Sequence, residues 1–317
     1  MNTQDRKEIL HFLYGLETYI VFKYGKDSDN YRNISHIKKW FLFQDFFSLR
    51  KLLMHEIVKG YNNDSESDLN LILHDKVEKT IKKDYLLKYV NAIIDDNYIF
   101  LLAKFFRRLP HVDLNDFLSK GQVNSKLWLI TELKKIIDNK SLEIKNIAIY
   151  GCWYSFLAPL LLNEFNLESV RGFDIDPQCT SRSDLFMQDY VQSEWKYKCV
   201  TQDVNELIPL GASGKLKYYI VNDFNQKISE TKKFDLIINT SAEHMKDSWL
   251  KNLRKDQLVL IQTNNMIDIS KGHINCFESF DKAKDYYRSL GEIYWAGNAP
   301  LTDEYERYMF FLRRRDL

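Results

Sequence analysis

The sequence predicts an all-helical domain over residues 1–118 followed by a mainly parallel α/β domain over residues 119–317. Three observations carry this. Residues 144–177 read as strand, glycine turn, apolar helix, strand and acid. Strand-like and helix-like segments then alternate to the end of the chain, which implies right-handed crossovers and helices on both faces of one sheet. Before residue 110 the apolar residues recur only at helical spacing.

In chain order, Ile9, Leu10, Phe12, Leu13, Leu16 and Ile20 mark a helix over 6–22, and a second run covers 34–58. Polar residues 62–67 break the pattern, which resumes from Leu69 and through 85–109 until Pro110 stops it. A short connector, 113–120, leads to an amphipathic helix over 123–137, whose Leu127, Ile130, Leu133, Ile136 and Ile137 suit packing on a sheet. Strands are expected at 146–150, 169–173, 197–201, 234–239 and 257–262. An extra strand is expected at 215–221. A helix over 280–290 precedes two late strands, 292–296 and 305–313, spaced as a hairpin at the sheet edge.

A net charge of +1 gives no overall field for nucleic acid or anionic lipid. Only short basic runs, Arg107-Arg108 and Arg313 to Arg315, offer contacts to phosphate. No apolar run reaches the ~20 residues needed to cross a bilayer, and the amino terminus lacks the apolar core of a signal peptide. The expectation is a cytoplasmic protein without membrane contact. Cys152, Cys179, Cys199 and Cys276 are far apart, without a CxxC pair or histidines at metal-ligand spacing, so reduced thiols and no metal site are expected. Oligomeric state is open.

Gly151 closes the first strand, where backbone either approaches a ligand or turns sharply. Asp174 closes the second, where a carboxylate can accept both hydroxyls of a ribose. That pair is the footprint of a nucleoside-bearing ligand, although the turn Gly151-Cys-Trp-Tyr-Ser155 holds one glycine where a dinucleotide fingerprint holds three, which leaves a pyrophosphate without a cradle. The competing reading of the acids is helix capping, since Asp176-Pro177 opens the next helix. Trp153 and Tyr154 either cover the ligand or belong to the core. At the end of the fourth strand, Asn239, Thr240, Ser241, Glu243 and His244 follow the apolar Leu236-Ile-Ile238 directly. Glu243 or His244 is placed to act as a base and Asn239 to orient an acceptor. The competing reading there is a capping box, with Thr240 or Ser241 capping a helix over 245–253. Gln262 to Asn265 and the group Asp303, Glu304, Tyr305, Arg307 and Tyr308 are further candidates for lining a substrate pocket.

With Gly-Phe-Asp174-Ile-Asp176-Pro, this order of motifs resembles the class I S-adenosylmethionine-dependent methyltransferases over roughly the last 175 residues. A closer resemblance is to a phage and bacterial branch in which a Lys-Gly-Gln-x-x-Ser-Lys-x-Trp-Leu segment precedes the first strand and Asn-Thr-Ser-x-Glu-His-Met closes the fourth. Here these stand as Lys120 to Leu129 and Asn239 to Met245. The resemblance implies a Rossmann-like domain that binds S-adenosyl-L-methionine. It places Asp174 on the ribose with Ile175 beside it, and Asp203 with Val204 at the adenine, where the bland alternative for Asp203 is a cap on 204–207. Gly151, Trp153, Tyr154 and Asn239 fall around the cofactor, and Lys126, in the segment where such enzymes carry a lid, would meet the methionine carboxylate. The implied activity is methyl transfer to a small-molecule or nucleobase-like N or O acceptor. Two alternatives are aminocarboxypropyl transfer or cyclisation of the same cofactor, and a non-enzymatic cofactor-binding interaction module.

Overall fold

The computed structural model describes residues 3–43, 101, 120–221, 226–267, 272–300 and 306–315. The chain divides into two compact units, Met1–Leu127 and Trp128–Leu317, so the division falls inside the helix α3 (Lys120–Lys140). In the first unit α1 (Thr3–Tyr24) packs on α2 (Asp29–Phe43). Of the period-3.6 stripe read from the sequence, α1 buries Leu13, Leu16 and Ile20, with Tyr19 beside them, and α2 buries Ile34 and Ile37. A Glu17–Lys38 ion pair crosses between them. The helices expected beyond residue 43 and before 119 lie outside the described residues, apart from the buried Leu101.

The second unit is the Rossmann-like α/β domain expected from the sequence. Its main sheet consists of β1 (Asn146–Tyr150), β2 (Ser169–Asp174), β3 (Tyr197–Thr201), β7 (Leu236–Asn239), β8 (Leu258–Asn264), β9 (Gly291–Pro300) and β10 (Glu306–Arg314). The strand order is β3-β2-β1-β7-β8-β10-β9. The first five strands in that order are parallel, whereas β10 runs antiparallel to both β8 and β9. The expected late hairpin is therefore present, with its second strand inserted between β8 and β9. A register shift opposite Phe311–Leu312 marks a bulge in it.

The extra strand expected at 215–221 joins a different sheet. β4 (Ile208–Pro209), β5 (Lys215–Val221) and β6 (Lys227–Lys233) form an antiparallel three-stranded sheet in the order β4-β5-β6. Its Leu216, Tyr218 and Ile220 pack with Ala148, Tyr150, Phe173, Val200 and Ile237 on one face of the main sheet. Period-2 alternation explains the choice, because these positions of β1, β2, β3 and β7 point the same way. Arg171 lies on that face too, and its buried guanidinium reaches Glu230 of β6 through Nε at 3.2 Å and Nη2 at 3.1 Å, while Nη1 donates to the Trp195 carbonyl at 2.7 Å.

Helices cover both faces. α7 (Phe280–Leu290), capped by Ser279, sets Tyr287 against Phe310 at 4.9 Å between ring centroids. On the opposite face Trp128 of α3 meets Trp295, the partner of Phe311 in register, at 6.1 Å. α5 (Pro177–Phe186) is also there, with its Ser183 hydroxyl on the Tyr197 hydroxyl. α4 (Leu157–Glu164) and the short α6 (Gln188–Gln192) complete the crossovers. Among the described residues no helix is long and apolar enough to cross a membrane.

Gly172 of β2 shows how tightly β2 and β3 are held. A Cβ there would stand 2.7 Å from the Tyr197 hydroxyl and 2.8 Å from Cys152 Sγ. Gly172→Ala is expected to destabilise the domain by about 1–3 kcal/mol through overpacking, measured as a lower urea midpoint with an unchanged slope.

Candidate functional site

Parallel strands deliver their carboxyl ends to one edge, and the order reverses at β1 and β7. In open α/β sheets that reversal opens a crevice for a ligand. After β1, residues 151–155 form a corner in which Gly151, Trp153 and Ser155 have φ of +61°, +49° and +56°. Left-handed backbone at every second position is a pattern that glycine supplies readily and other residues adopt at a cost. Here side chains fill two of the three places. Trp153 stacks on Tyr154, with ring centroids 4.6 Å apart. The Ser155, Ser183 and Tyr197 hydroxyls bond one another in the interior.

Gly151 itself has an internal reason to lack a side chain. A Cβ would stand 2.8 Å from Ser241 Cβ and 3.1 Å from Met245 Cε, and Ser241 Oγ donates to the Gly151 carbonyl at 3.0 Å. The corner after β1 is thus laced to the turn after β7. Behind it, Cys152 and Cys199 bring their sulfurs within 3.2 Å, and burial pushes the Cys152 thiol well above its ordinary value, the neighbouring Cys199 adding to the effect. Both cysteines are free, as are Cys179 and Cys276.

Asp174 ties the corner to β2. Its Oδ2 accepts from the Trp153 amide at 2.8 Å and its Oδ1 from the Asp176 amide at 3.1 Å. Each carboxylate oxygen retains a second lone pair. Asp176 is the cap foreseen in the alternative reading: it accepts from Gln178 N at 2.8 Å and opens α5, with Pro177 in the first turn. Asp203 likewise caps a 3-10 turn, Val204–Glu206, through Asn205 N at 2.8 Å. Ile175 is 71% exposed beside Asp174, whereas Val204 is buried. Lys126 belongs to the first unit, where it donates to Gln122 Oε1 at 3.1 Å.

At the end of β7, Asn239 is fully buried. Its Oδ1 accepts from Ser241 N at 3.0 Å, and its Nδ2 approaches Met245 Sδ at 3.2 Å. The expected α-helix over 245–253 is replaced by two 3-10 segments, Ala242–His244 and Asp247–Asn252, and Ser241 makes no side-chain cap. The short turn sends consecutive residues in opposite directions: Glu243 is 4% exposed, whereas His244 lies at the surface. Glu243 Oε1 accepts from Arg307 Nη1 of β10 at 2.5 Å and from Asn264 Nδ2 of β8 at 3.2 Å. The Glu243 carbonyl accepts from Ile274 N at 2.8 Å and Asn275 N at 3.2 Å, which clips the loop after β8 onto the same turn.

No family model and no curated protein sequence matches the chain. Solved structures do. A magnesium protoporphyrin IX methyltransferase (ChlM) from Synechocystis with bound SAM is 13% identical, with 72% of this chain and 96% of that one covered and a TM-score of 0.41. The N-methyltransferase NodS from Bradyrhizobium japonicum is 14% identical over 59% of this chain and 94% of its own, with a TM-score of 0.39. An S-adenosylmethionine-dependent methyltransferase from Clostridium acetobutylicum is 10% identical over 59% and 91%, with a TM-score of 0.41.

The structure brings Gly151, Trp153, Tyr154 and Asp174 into one corner, and Asn239, Glu243 and His244 into the adjoining turn. Three participants escaped the sequence. Ser155 and Tyr197 look like ordinary polar and core residues until the corner folds, and His273 stands alone in a polar stretch. Arg307 and Asn264 were legible only as members of polar groups at strand ends; their common partner, Glu243, was not. Because both side chains of the Glu243–Arg307 pair are buried at 5% and 4% exposure, Glu243→Gln removes the buried negative charge that faces the guanidinium. It is expected to destabilise the domain by on the order of 3 kcal/mol, measured by equilibrium denaturation.

Proposed function

We propose that the Trp128–Leu317 domain binds S-adenosyl-L-methionine and transfers its methyl group to a small-molecule or nucleobase-like N or O acceptor. The observation that carries this reading is the 151–155 corner. Left-handed backbone at three alternate positions stands directly beside the acid that closes β2, at the edge where the strand order reverses.

In this reading Asp174 accepts the ribose hydroxyls with lone pairs that its two backbone donors leave available. A carboxylate suits the task because charge-assisted bonds exceed neutral ones. Ile175, exposed beside it, supplies apolar contact, and Asp203 accepts from the adenine amino group. Trp153 and Tyr154 form one wall. Asn239 fixes the turn that carries Glu243 and His244 and so positions the acceptor side. His244, exposed and at the strand ends, is placed to take the acceptor's proton, while Glu243 stands in its buried pair with Arg307. Methyl transfer requires the acceptor lone pair in line with the sulfonium methyl, so much of the rate would come from positioning. The helical amino-terminal unit serves in this reading as a lid, substrate or oligomerisation element.

A second reading keeps the cofactor but makes the domain a non-enzymatic binding module. It is favoured by the engagement of the buried Glu243 carboxylate by Arg307 and Asn264, which takes it out of use as a base. Calorimetry and product analysis separate the readings. S-adenosylmethionine should bind, and Asp174→Ala should weaken it by about 1.5–3 kcal/mol, the worth of hydrogen bonds to a charged group. Unaltered affinity in that variant would remove Asp174 from the site. With an acceptor-containing extract, S-adenosylhomocysteine should accumulate. Methylthioadenosine instead would mean aminocarboxypropyl transfer or cyclisation, and binding without turnover would mean the module.

A further inference from the structure

We propose that Glu243, His244 and His273 form a binding site for a divalent transition-metal cation at the carboxyl ends of β7 and β8. One ligand atom from each of the three lies within 4.8 Å of the other two. A bound ion with bonds of about 2.0–2.2 Å holds neighbouring ligand atoms roughly 3–3.5 Å apart. Modest closure of the two imidazoles is therefore enough, and their positions allow it: His244 is exposed and His273 half-buried.

The carboxylate gives the second, independent indication. Glu243 is 4% exposed, and its Oε1 is engaged by Arg307 and Asn264. Among the described residues its Oε2 is buried with no hydrogen-bond partner. A buried ionised oxygen left unpaired is costly, and such groups are ordinarily satisfied by water or an ion.

One ring nitrogen of His273 is held by the backbone. Its Nδ1 lies 3.1 Å from the Met266 carbonyl. A carbonyl only accepts, so this bond places the proton on Nδ1 and leaves the lone pair of the neutral ring on Nε2. Metal-bound histidines are commonly held this way, by a bond from the other ring nitrogen. The two imidazoles stand edge to face with centroids 4.6 Å apart. The amides of Ile274 and Asn275, bonded to the Glu243 carbonyl, fix the segment that carries His273 to the turn that carries the other two ligands.

One carboxylate oxygen and two imidazole nitrogens suit zinc, cobalt, manganese or ferrous iron better than calcium or magnesium. Three protein ligands leave positions for water or for an oxygen of another molecule. The site stands on geometry alone; an imidazole that ligates the ion cannot also take a proton, so an occupied site would withdraw His244 from the role of base. Only its use in holding an acceptor rests on the methyltransferase reading.

The test is titration of metal-stripped full-length protein with Co2+, followed by calorimetry and by the visible absorption of the bound ion. One ion per chain is expected. His273→Ala and His244→Ala should each weaken binding by about tenfold or more, and the double variant should abolish it while melting like the wild type without metal. Glu243→Gln is not the deciding variant, since it also breaks the pair with Arg307. Asp174→Ala serves as the control and should keep full Co2+ affinity even where S-adenosylmethionine binding is lost, which separates failure of the metal site from failure of the cofactor site. No uptake at millimolar Co2+, or wild-type uptake by the double histidine variant, would overturn the proposal; the latter would point to the thiols instead.

Discussion

The buried ion pair between Glu243 and Arg307 holds the carboxyl end of the sheet together. β10 enters antiparallel between β8 and β9, so its first residues arrive at the edge where β7 and β8 finish. Arg307 is among those first residues, and its guanidinium meets the carboxylate offered by the turn after β7, with Asn264 of β8 on the same oxygen. Three strands that are distant in sequence are thereby tied at one point. Two charges out of water cost several kcal/mol each unless paired with good geometry, so the turn, the strand ends and the loop bearing His273 are constrained together.

Much of the second unit was legible because its signals are local. β1, β2, β3 and β7 are short apolar runs bounded by polar turns, and their ends at Tyr150, Asp174, Thr201 and Asn239 fall at or within one residue of where the pattern stops. The place of 215–221 was not legible. A strand's period reveals that it buries alternate residues, as Leu216, Tyr218 and Ile220 do, but not against which partner. The decisive contact, Arg171 to Glu230, spans 59 positions and joins two residues that each look like solvent-facing charges. The stretch 245–253 shows the opposite failure. The capping reading put an α-helix there, but Trp249 and Leu250 are buried through 3-10 turns.

The corner after β1 shows how a glycine-rich signature can vanish while its backbone persists. Read as letters, 151–155 holds a single glycine. Read as dihedrals, it holds three left-handed residues at alternate places. The cost at Trp153 and Ser155 is offset by specific partners, namely the stack on Tyr154, the Asp174 carboxylate on the Trp153 amide, and the hydroxyls of Ser183 and Tyr197. Tyr197 can reach Ser155 because Gly172, between them on β2, leaves room. Composition alone could not reveal this, since the compensating groups come from β2, α5 and β3.

The small antiparallel sheet has one further consequence. β6 is one of its two outer strands, and an outer strand presents unsatisfied amides and carbonyls that can recruit another polypeptide. The sequence of β6, Lys-Ile-Ser-Glu-Thr-Lys-Lys, sets lysines at both ends of that border, and most of its side chains are exposed. Stacking two such borders would bring ammonium groups face to face, so this flank of the domain discourages self-association into fibrils while its inner neighbour stays anchored to the core.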